Sequence, residues 1–297
     1  ALARLAVCFA QQQDHHHCNQ ILDLLRASIG AGDKRYYKSR ILANLGWAIA
    51  SLGREDEATI IFQQAEEALE ANGLGIKDPN LAPYLLEGLA SSGFLVHAQV
   101  FAKRMMEVAS RSDDDSLLLN ECALACGRAG QFELALEFRE KMVGSYWPRI
   151  TFIELSREAI DQNNLTAAVQ LAFAWPSWME SKHWAEMLPR LAYVLTKEHR
   201  WDDLRRLIPL AKESRLRYAL HTQLAVGLMQ VNRIIEAFEV LDDLNQEQTM
   251  IFLADSSEVF EQIEPGLSLR VLQDATKVAG WMRREWLRIH KLLTMSE

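Results

Sequence analysis

Histidine and cysteine, two side chains that commonly bind zinc, stand together near the N-terminus in the segment DHHHC, residues 14–18. Neighbouring residues of a helix project about 100° apart, so three consecutive histidines cannot reach one ion. His15 and Cys18 are three residues apart and could share one. The alternative is a polar turn followed by a buried cysteine, and we favour that interpretation over a metal site.

Cys122 and Cys126 are four residues apart, which would place both thiols on one side of a helix. A structural zinc site needs four ligands, whereas a free cysteine also packs as a small apolar side chain. We therefore predict that both thiols lie in the core. Sequence signatures of catalysis are missing, among them G-x-S-x-G, HExxH and a glycine-rich phosphate loop. We expect no enzymatic activity, no metal and no cofactor.

Two tryptophan-containing segments have more than one interpretation. WPSWMESKHW, residues 175–184, is either a binding hot spot or core packing between helices, since tryptophan serves both purposes. KVAGWMRREWLRIHKLL, residues 277–293, is locally basic, and basic amphipathic helices contact membranes, nucleic acids or partner helices. A stack of helices also needs a last helix with one polar side. We favour this capping role for residues 277–293.

The composition indicates a helical protein with a large core. The chain has 297 residues, 49% of them hydrophobic, with only 14 glycines and 7 prolines. No apolar run approaches the ~18 residues of a transmembrane helix, so we expect no membrane contact. The formal net charge of -8 disfavours nucleic acid as a partner. Four cysteines are too few for a disulfide scaffold and indicate a reducing, cytoplasmic environment.

A pair of positions twelve residues apart recurs along the chain, and most of its members are Gly, Ala or Ser. The first positions are Gly46, Leu86, Ala123, Ser156, Ala192 and Ala225. The second positions are Ala58, Ala98, Ala135, Ala168, Leu204 and Ala237. Recurrence at a nearly fixed period is the signature of a repeat protein. We predict that the small side chains let two helices pack closely within each repeat.

A helix-ending residue precedes each second position by five residues. These residues are Gly53, Gly93, Gly130, Asn163, His199 and Asn232. Gly and Asn end helices in a left-handed backbone conformation. Apolar residues at i, i+3, i+4 and i+7 flank them, so each repeat is a helical hairpin of about 34 residues. A single hairpin cannot bury its apolar side, so the hairpins must stack.

The sequence predicts an all-α fold without strands, built as one domain over residues 1–297. The predicted helix pairs are 2–12 with 16–29, 35–52 with 54–72, 80–92 with 94–109, 115–129 with 131–143, 147–162 with 164–174, 181–198 with 200–213, 215–230 with 233–243, and 248–262 with 267–293. The last hairpin, about 248–297, is predicted to be a capping unit.

The repeat resembles a known family most clearly in residues 45–65. Leu45-Gly46, Ile49, Gly53, Ala58, Phe62 and Ala65 resemble the tetratricopeptide repeat, which has Leu-Gly, Tyr, a turn Gly, and then Ala, Phe and Ala at these spacings. The resemblance covers nearly the whole chain. It implies a right-handed α-solenoid of seven to eight stacked helical hairpins. It also implies a scaffold whose first helices line a concave groove that holds a peptide or protein partner.

Carrying the groove positions of the family onto this chain gives nine candidate residues of mixed charge. They are Arg40, Trp47, Glu87, Asn120, Arg128, Arg157, Asp161, Tyr193 and Lys197. The family members that bind chaperone tails hold a terminal carboxylate with paired Lys and Asn, and these positions lack such a cluster. We therefore expect a partner other than a chaperone tail.

Three classes of function remain open at this point. We predict a non-catalytic, cytoplasmic protein-interaction scaffold. The alternative is a regulatory or sensor segment of a larger signalling protein, with an ATPase or caspase-like effector. An enzyme or nucleic-acid binder that uses the repeats as a frame is the third class. The sequence does not indicate the oligomeric state or the identity of the partner.

Overall fold

Every regular element in the described part of the chain is helical, as the sequence predicts. The computed structural model describes residues 2–30, 35–71, 75–109, 115–144, 146–174, 181–211, 213–241, 243–256, 260–262, 265–266 and 269. Within these ranges there is no strand, and none of the helices has the length and apolarity that crossing a lipid bilayer requires.

The helices belong to two compact units, Ala1–Ala167 and Ala168–Glu297. The first unit contains α1 (Leu2–Gln11), α2 (His15–Gly30), α3 (Arg35–Ala50), α4 (Glu55–Glu70), α5 (Ala82–Ser91), α6 (Leu95–Ala109), α7 (Ser116–Arg128), α8 (Phe132–Glu140) and α9 (Tyr146–Asp161). The boundary falls within α10 (Leu165–Phe173). The second unit continues with α11 (Ser181–Lys197), α12 (Trp201–Leu207), α13 (Ser214–Gln230), α14 (Ile234–Leu241) and α15 (Gln246–Asp255). One domain over 1–297 stays a prediction.

Most predicted helix ends agree with the observed ends to within a few residues, but the helix predicted at 200–213 is too long. The α-helix stops at Leu207, and the chain continues as a 3-10 turn, Ile208–Leu210. Pro209 lies in this turn and has no N–H to donate to an α-helical carbonyl. The proline therefore explains the early end of α12.

The helix predicted at 248–262 also has different bounds. It begins at Gln246, because Asn245 and Gln248 form a capping box. Oδ1 of Asn245 accepts from the Gln248 N–H at 2.8 Å, and the Asn245 N–H donates to Oε1 of Gln248 at 3.2 Å. The helix ends at Asp255. Three predicted features lie outside the described residues: the second helix of the capping hairpin, except for residue 269, the tryptophans at 175 and 178, and the basic segment 277–293.

The odd-numbered helices α1 to α13, the first helices of the repeats, all end in the same turn. One residue of each turn has a left-handed backbone, with φ between 55° and 82°. These residues are Gln13, Gly53, Gly93, Gly130, Asn163, His199 and Asn232. The left-handed residue donates to the carbonyl three residues back and the next residue to the carbonyl five residues back, as Gly53 does to Ala50 and Arg54 to Ile49. This is the Schellman motif, and the six predicted helix-ending positions are confirmed.

The recurring positions twelve residues apart are all buried, as predicted. Gly46 shows why a small residue is needed, since a Cβ there would lie 2.9 Å from Cε1 of Phe62 on α4. A Cβ at Gly227 on α13 would lie 2.4 Å from Cγ2 of Thr196 on α11. At such points the helix backbone approaches a neighbouring side chain too closely for any larger residue without a shift.

Two kinds of helix packing position the candidate residues. Within repeats, a first helix packs on the helix that follows it, as α3 does on α4 and α13 on α14. Between repeats of the first unit, first helices pack on one another in chain order: α3 on α5, α5 on α7, and α7 on α9. In the second unit, α11 packs on α13. First helices of consecutive repeats are therefore neighbours within each unit.

Candidate partner-binding surface

The nine candidate residues all lie on first helices. We name the exposed sides of α3, α5, α7 and α9 the first-helix face of the first unit, and those of α11 and α13 the first-helix face of the second unit. The helices of the former face carry Arg40, Trp47, Glu87, Asn120, Arg128, Arg157 and Asp161, of which Glu87 and Asn120 are buried. The latter carries Tyr193 and Lys197 on α11. These side chains differ in burial, and the buried ones have different roles from the exposed ones.

Arg40 and Trp47 lie on α3 and are both half-buried. The guanidinium carbon of Arg40 lies 3.8 Å from the centroid of the Tyr84 ring on α5. A cation over an aromatic ring is worth about 0.5–1 kcal/mol at a partly exposed site. Arg40 therefore links α3 to α5, while Trp47 keeps part of its ring accessible.

Glu87 and Arg128 form an ion pair between α5 and α7. Nε and Nη2 of Arg128 donate to Oε2 of Glu87 at 2.9 and 2.7 Å. Glu87 is only 5% exposed. Burial of Arg128 opposes its charged form, but the hydrogen bonds and charge of Glu87 outweigh that cost and raise the pKa of Arg128. The pair holds two neighbouring first helices together.

Asn120 performs a similar role between α7 and α9. Its Oδ1 lies 2.7 Å from Oγ1 of Thr151, whose hydroxyl is also 2.8 Å from the carbonyl oxygen of Trp147. Nδ2 of Asn120 donates to Oε1 of Glu121 at 3.1 Å. Asn120 and Thr151 are buried. Buried polar groups are costly unless they are hydrogen-bonded, so these bonds fix how the two helices align.

Gln162 makes a separate polar contact between α7 and α9, although nothing in its sequence context marks it. Its Nε2 lies 3.0 Å from the carbonyl oxygen of Gly127 and 3.1 Å from that of Arg128. Both carbonyls belong to the last turn of α7, where helical carbonyls lack intrahelical partners. A side chain just beyond α9 therefore caps α7. Such a contact depends on the spacing of two helices and leaves no periodic signal in the sequence.

Arg157 and Asp161 are the exposed candidates of the first unit. Nη1 of Arg157 donates to Oε1 of Glu154 at 2.8 Å, and both side chains are nearly half exposed. Ion pairs of this kind contribute about 0–1 kcal/mol, so they exchange readily with other partners. Arg157 and Asp161 are thus accessible, whereas Glu87 and Asn120 serve internal packing.

Tyr193 and Lys197 are exposed on α11 of the second unit, and Tyr193 is 60% exposed. They are four residues apart and lie on the same side of the helix. Thr196 beside them packs against Gly227 of α13, which positions the neighbouring helix. Both side chains are therefore presented to solvent by packed helices.

In the segment at residues 14–18, Asp14 precedes α2, and His15–Cys18 begin that helix rather than a polar turn. The predicted burial of the cysteine is confirmed. Asp14 accepts from the His17 N–H at 3.2 Å, and its Oδ2 lies 2.7 Å from Nδ1 of His17. Sγ of Cys18 is buried and lies 3.4 Å from the carbonyl oxygen of Ala6. Burial raises the pKa of the Cys18 thiol, which opposes metal binding as a thiolate. Among the described residues there is no cluster of three or more metal-ligating side chains.

Cys122 and Cys126 are both fully buried on α7, which confirms their predicted place in the core. Burial raises the pKa of both thiols well above the ordinary value for cysteine. A protonated, inaccessible thiol is unreactive. These cysteines therefore pack as small apolar side chains.

Comparisons with known proteins give a distant likeness to solved structures but no family and no named relative. No protein-family model matches the chain, and no curated protein matches it. The crystal structure of Ton1535 from Thermococcus onnurineus NA1 is similar with a TM-score of 0.44 and 11% sequence identity, over 99% of this chain and 89% of that chain. A likeness at this TM-score supports no inference about fold or function.

Proposed function

We propose that this chain is a tetratricopeptide-like, right-handed α-solenoid of seven to eight stacked hairpins. We further propose that it acts as a non-catalytic, cytoplasmic scaffold, which binds a peptide or protein partner on its first-helix faces. The observation that carries the proposal is the packing of α3, α5, α7 and α9 in chain order, with Trp47 half-buried on α3 and Arg157 and Asp161 exposed on α9. The identical turns support equivalent hairpins.

The polar contacts divide the candidate residues into two groups. Glu87, Asn120 and Arg128 hold adjacent first helices at fixed spacing, so they pre-organise the surface. The exposed residues are the proposed contacts with the partner: Trp47, Arg157, Asp161, Tyr193 and Lys197. A rigid helix array with accessible polar and aromatic side chains is suited to binding and needs no chemistry.

The proposal is tested by affinity capture with two surface variants. One variant combines Arg157→Glu with Asp161→Lys, and the other combines Tyr193→Ala with Lys197→Glu. Lys103→Glu, an exposed change on α6, is the control. We expect the intact chain and the control to capture the same proteins in equal amounts. At least one of the two first-helix variants should fail to capture them. Equal capture by all four folded chains, quantified by mass spectrometry, would reject a partner on these faces.

A further inference from the structure

The exposed side of α11 carries basic and aromatic side chains in one line. Arg190, Tyr193 and Lys197 follow one another at spacings of three and four residues, and all are exposed. Arg190 and Lys197 are two helical turns apart, about 10 Å along the axis. An accessible aromatic ring therefore lies between two cations.

The neighbouring helix α13 contributes further side chains beside this line of residues on α11. It packs on α11 where Thr196 approaches Gly227. Arg215 is exposed at the start of α13 and adds a third cation. Val226, next to Gly227, is half-buried. The first-helix face of the second unit thus combines charge with accessible apolar area.

Cations outnumber carboxylates on this face, whereas the whole chain has a net charge of -8. Among the described residues of α11 and α13, the exposed cations Arg190, Lys197 and Arg215 compare with one exposed carboxylate, Glu186 on α11. Glu198 and Glu213 are exposed just outside the two helices. Within the part of the chain that the structure describes, neither Lys197 nor Arg215 has an ion-pair partner. A local excess of positive charge in an acidic protein attracts a ligand of the opposite sign.

We propose that this face binds an acidic segment of a partner protein. Side-chain carboxylates of that segment meet Arg190, Lys197 and Arg215, and an apolar side chain lies on Tyr193. The inference rests on the proposed function, because it gives the partner chemistry for one of the two faces. Complementary charge speeds encounter and fixes the register of the bound segment.

Two other anionic partners fit this face less well. A nucleic acid would gain little, because three cations neutralise few phosphates. A membrane needs several large apolar side chains for insertion. Of the described residues on α11 and α13, only Tyr193 is a large apolar side chain exposed to solvent. The test below therefore also measures binding of a nucleic acid and of membrane vesicles.

The test measures anisotropy of a fluorescein-labelled peptide built of Glu, Ala and Tyr, with an amidated C-terminus. Lys197→Glu is compared with Lys103→Glu, the same change on an exposed site of the first unit. We expect Lys197→Glu to weaken binding at least about tenfold and the control to change it less than about twofold. Binding should fall with added salt, and a peptide with Lys in place of Glu should not bind.

Equal binding by Lys197→Glu and the intact chain, or no binding at all, overturns the inference. Tighter binding of single-stranded DNA or phosphatidylserine vesicles than of the peptide also overturns it. If the peptide fails while captured proteins are still lost from the Arg157→Glu, Asp161→Lys variant, the inference fails and the proposed scaffold stands. Capture that is insensitive to changes on both faces refutes the scaffold itself. Circular dichroism confirms that each variant is folded.

Discussion

Arg128 and Arg157 make similar-looking ion pairs with different consequences for stability. Arg128 binds a carboxylate that is nearly inaccessible, whereas Arg157 binds one that is about half exposed. Loss of the arginine removes an ionic partner of the carboxylate, which is costly only where water cannot replace that partner. The two arginines therefore form a matched comparison at the scale of single residues.

We predict that Arg128→Ala lowers the free energy of unfolding by about 2–3 kcal/mol. The loss is smaller than for a fully buried pair because about a third of the Arg128 side chain is exposed. Arg157→Ala should change stability by less than about 0.5 kcal/mol. Urea denaturation of both variants gives the comparison. Equal losses would show that Glu87 is solvated without Arg128.

His221 predicts a pH dependence of stability. It is 4% exposed, and its Nδ1 lies 3.1 Å from the carbonyl oxygen of Val240 on α14. Burial lowers its pKa in the folded chain; Asp243 opposes this shift and Arg217 adds to it. The unfolded chain therefore takes up the proton first. The contribution of His221 to the stability of the folded chain should be fully present above the pKa of histidine in the unfolded chain, about 6.5. It should fall as the pH drops below that value.

The measurement is the urea midpoint at pH 7.5 and pH 5.5 for the intact chain and for His221→Gln. We expect the intact chain to lose stability between these values and the variant to lose less, because the variant has no proton to bind at this position. The same pH slope in both chains would assign the effect to other groups.

At the scale of elements, the geometry of the repeated turn predicts that glutamine-to-glycine substitutions at two positions change stability in opposite directions. Gln13 has φ of 60° at the end of α1, whereas Gln64 is exposed within α4. Gln13→Gly should stabilise the chain by about 0.5–1 kcal/mol, since glycine adopts positive φ without strain. Gln64→Gly should destabilise it by about 1 kcal/mol. Thermal unfolding measures both, and two changes of the same sign would contradict the turn geometry.

The helices and their turns were predictable because their signals repeat along the chain. Gly53, Gly93 and Asn163 end helices by a backbone preference that acts locally. The Glu87–Arg128 pair was not predictable as a pair, because its members are 41 residues apart and meet only through the packing of α5 on α7. The same reason explains why Glu87 and Asn120 were predicted as partner contacts, although the structure buries both.

At the scale of the whole molecule, the proposed solenoid predicts an extended particle. A compact domain of 297 residues has a radius of gyration of about 19 Å. Stacked hairpins contact only their neighbours along the array, so the radius should clearly exceed that value. Small-angle X-ray scattering of the monomer decides this. A radius near 19 Å would contradict a continuous array.

The central claim is that a protein partner lies on the first helices, and site-specific photocrosslinking tests it most directly. A photoreactive phenylalanine is placed at position 157 or 193 on first helices, and at position 64 or 103 on second helices. All four positions are exposed, so the substitution should leave folding intact. We predict discrete protein adducts from positions 157 or 193 and none from positions 64 and 103. Adducts only from positions 64 or 103 would contradict the account.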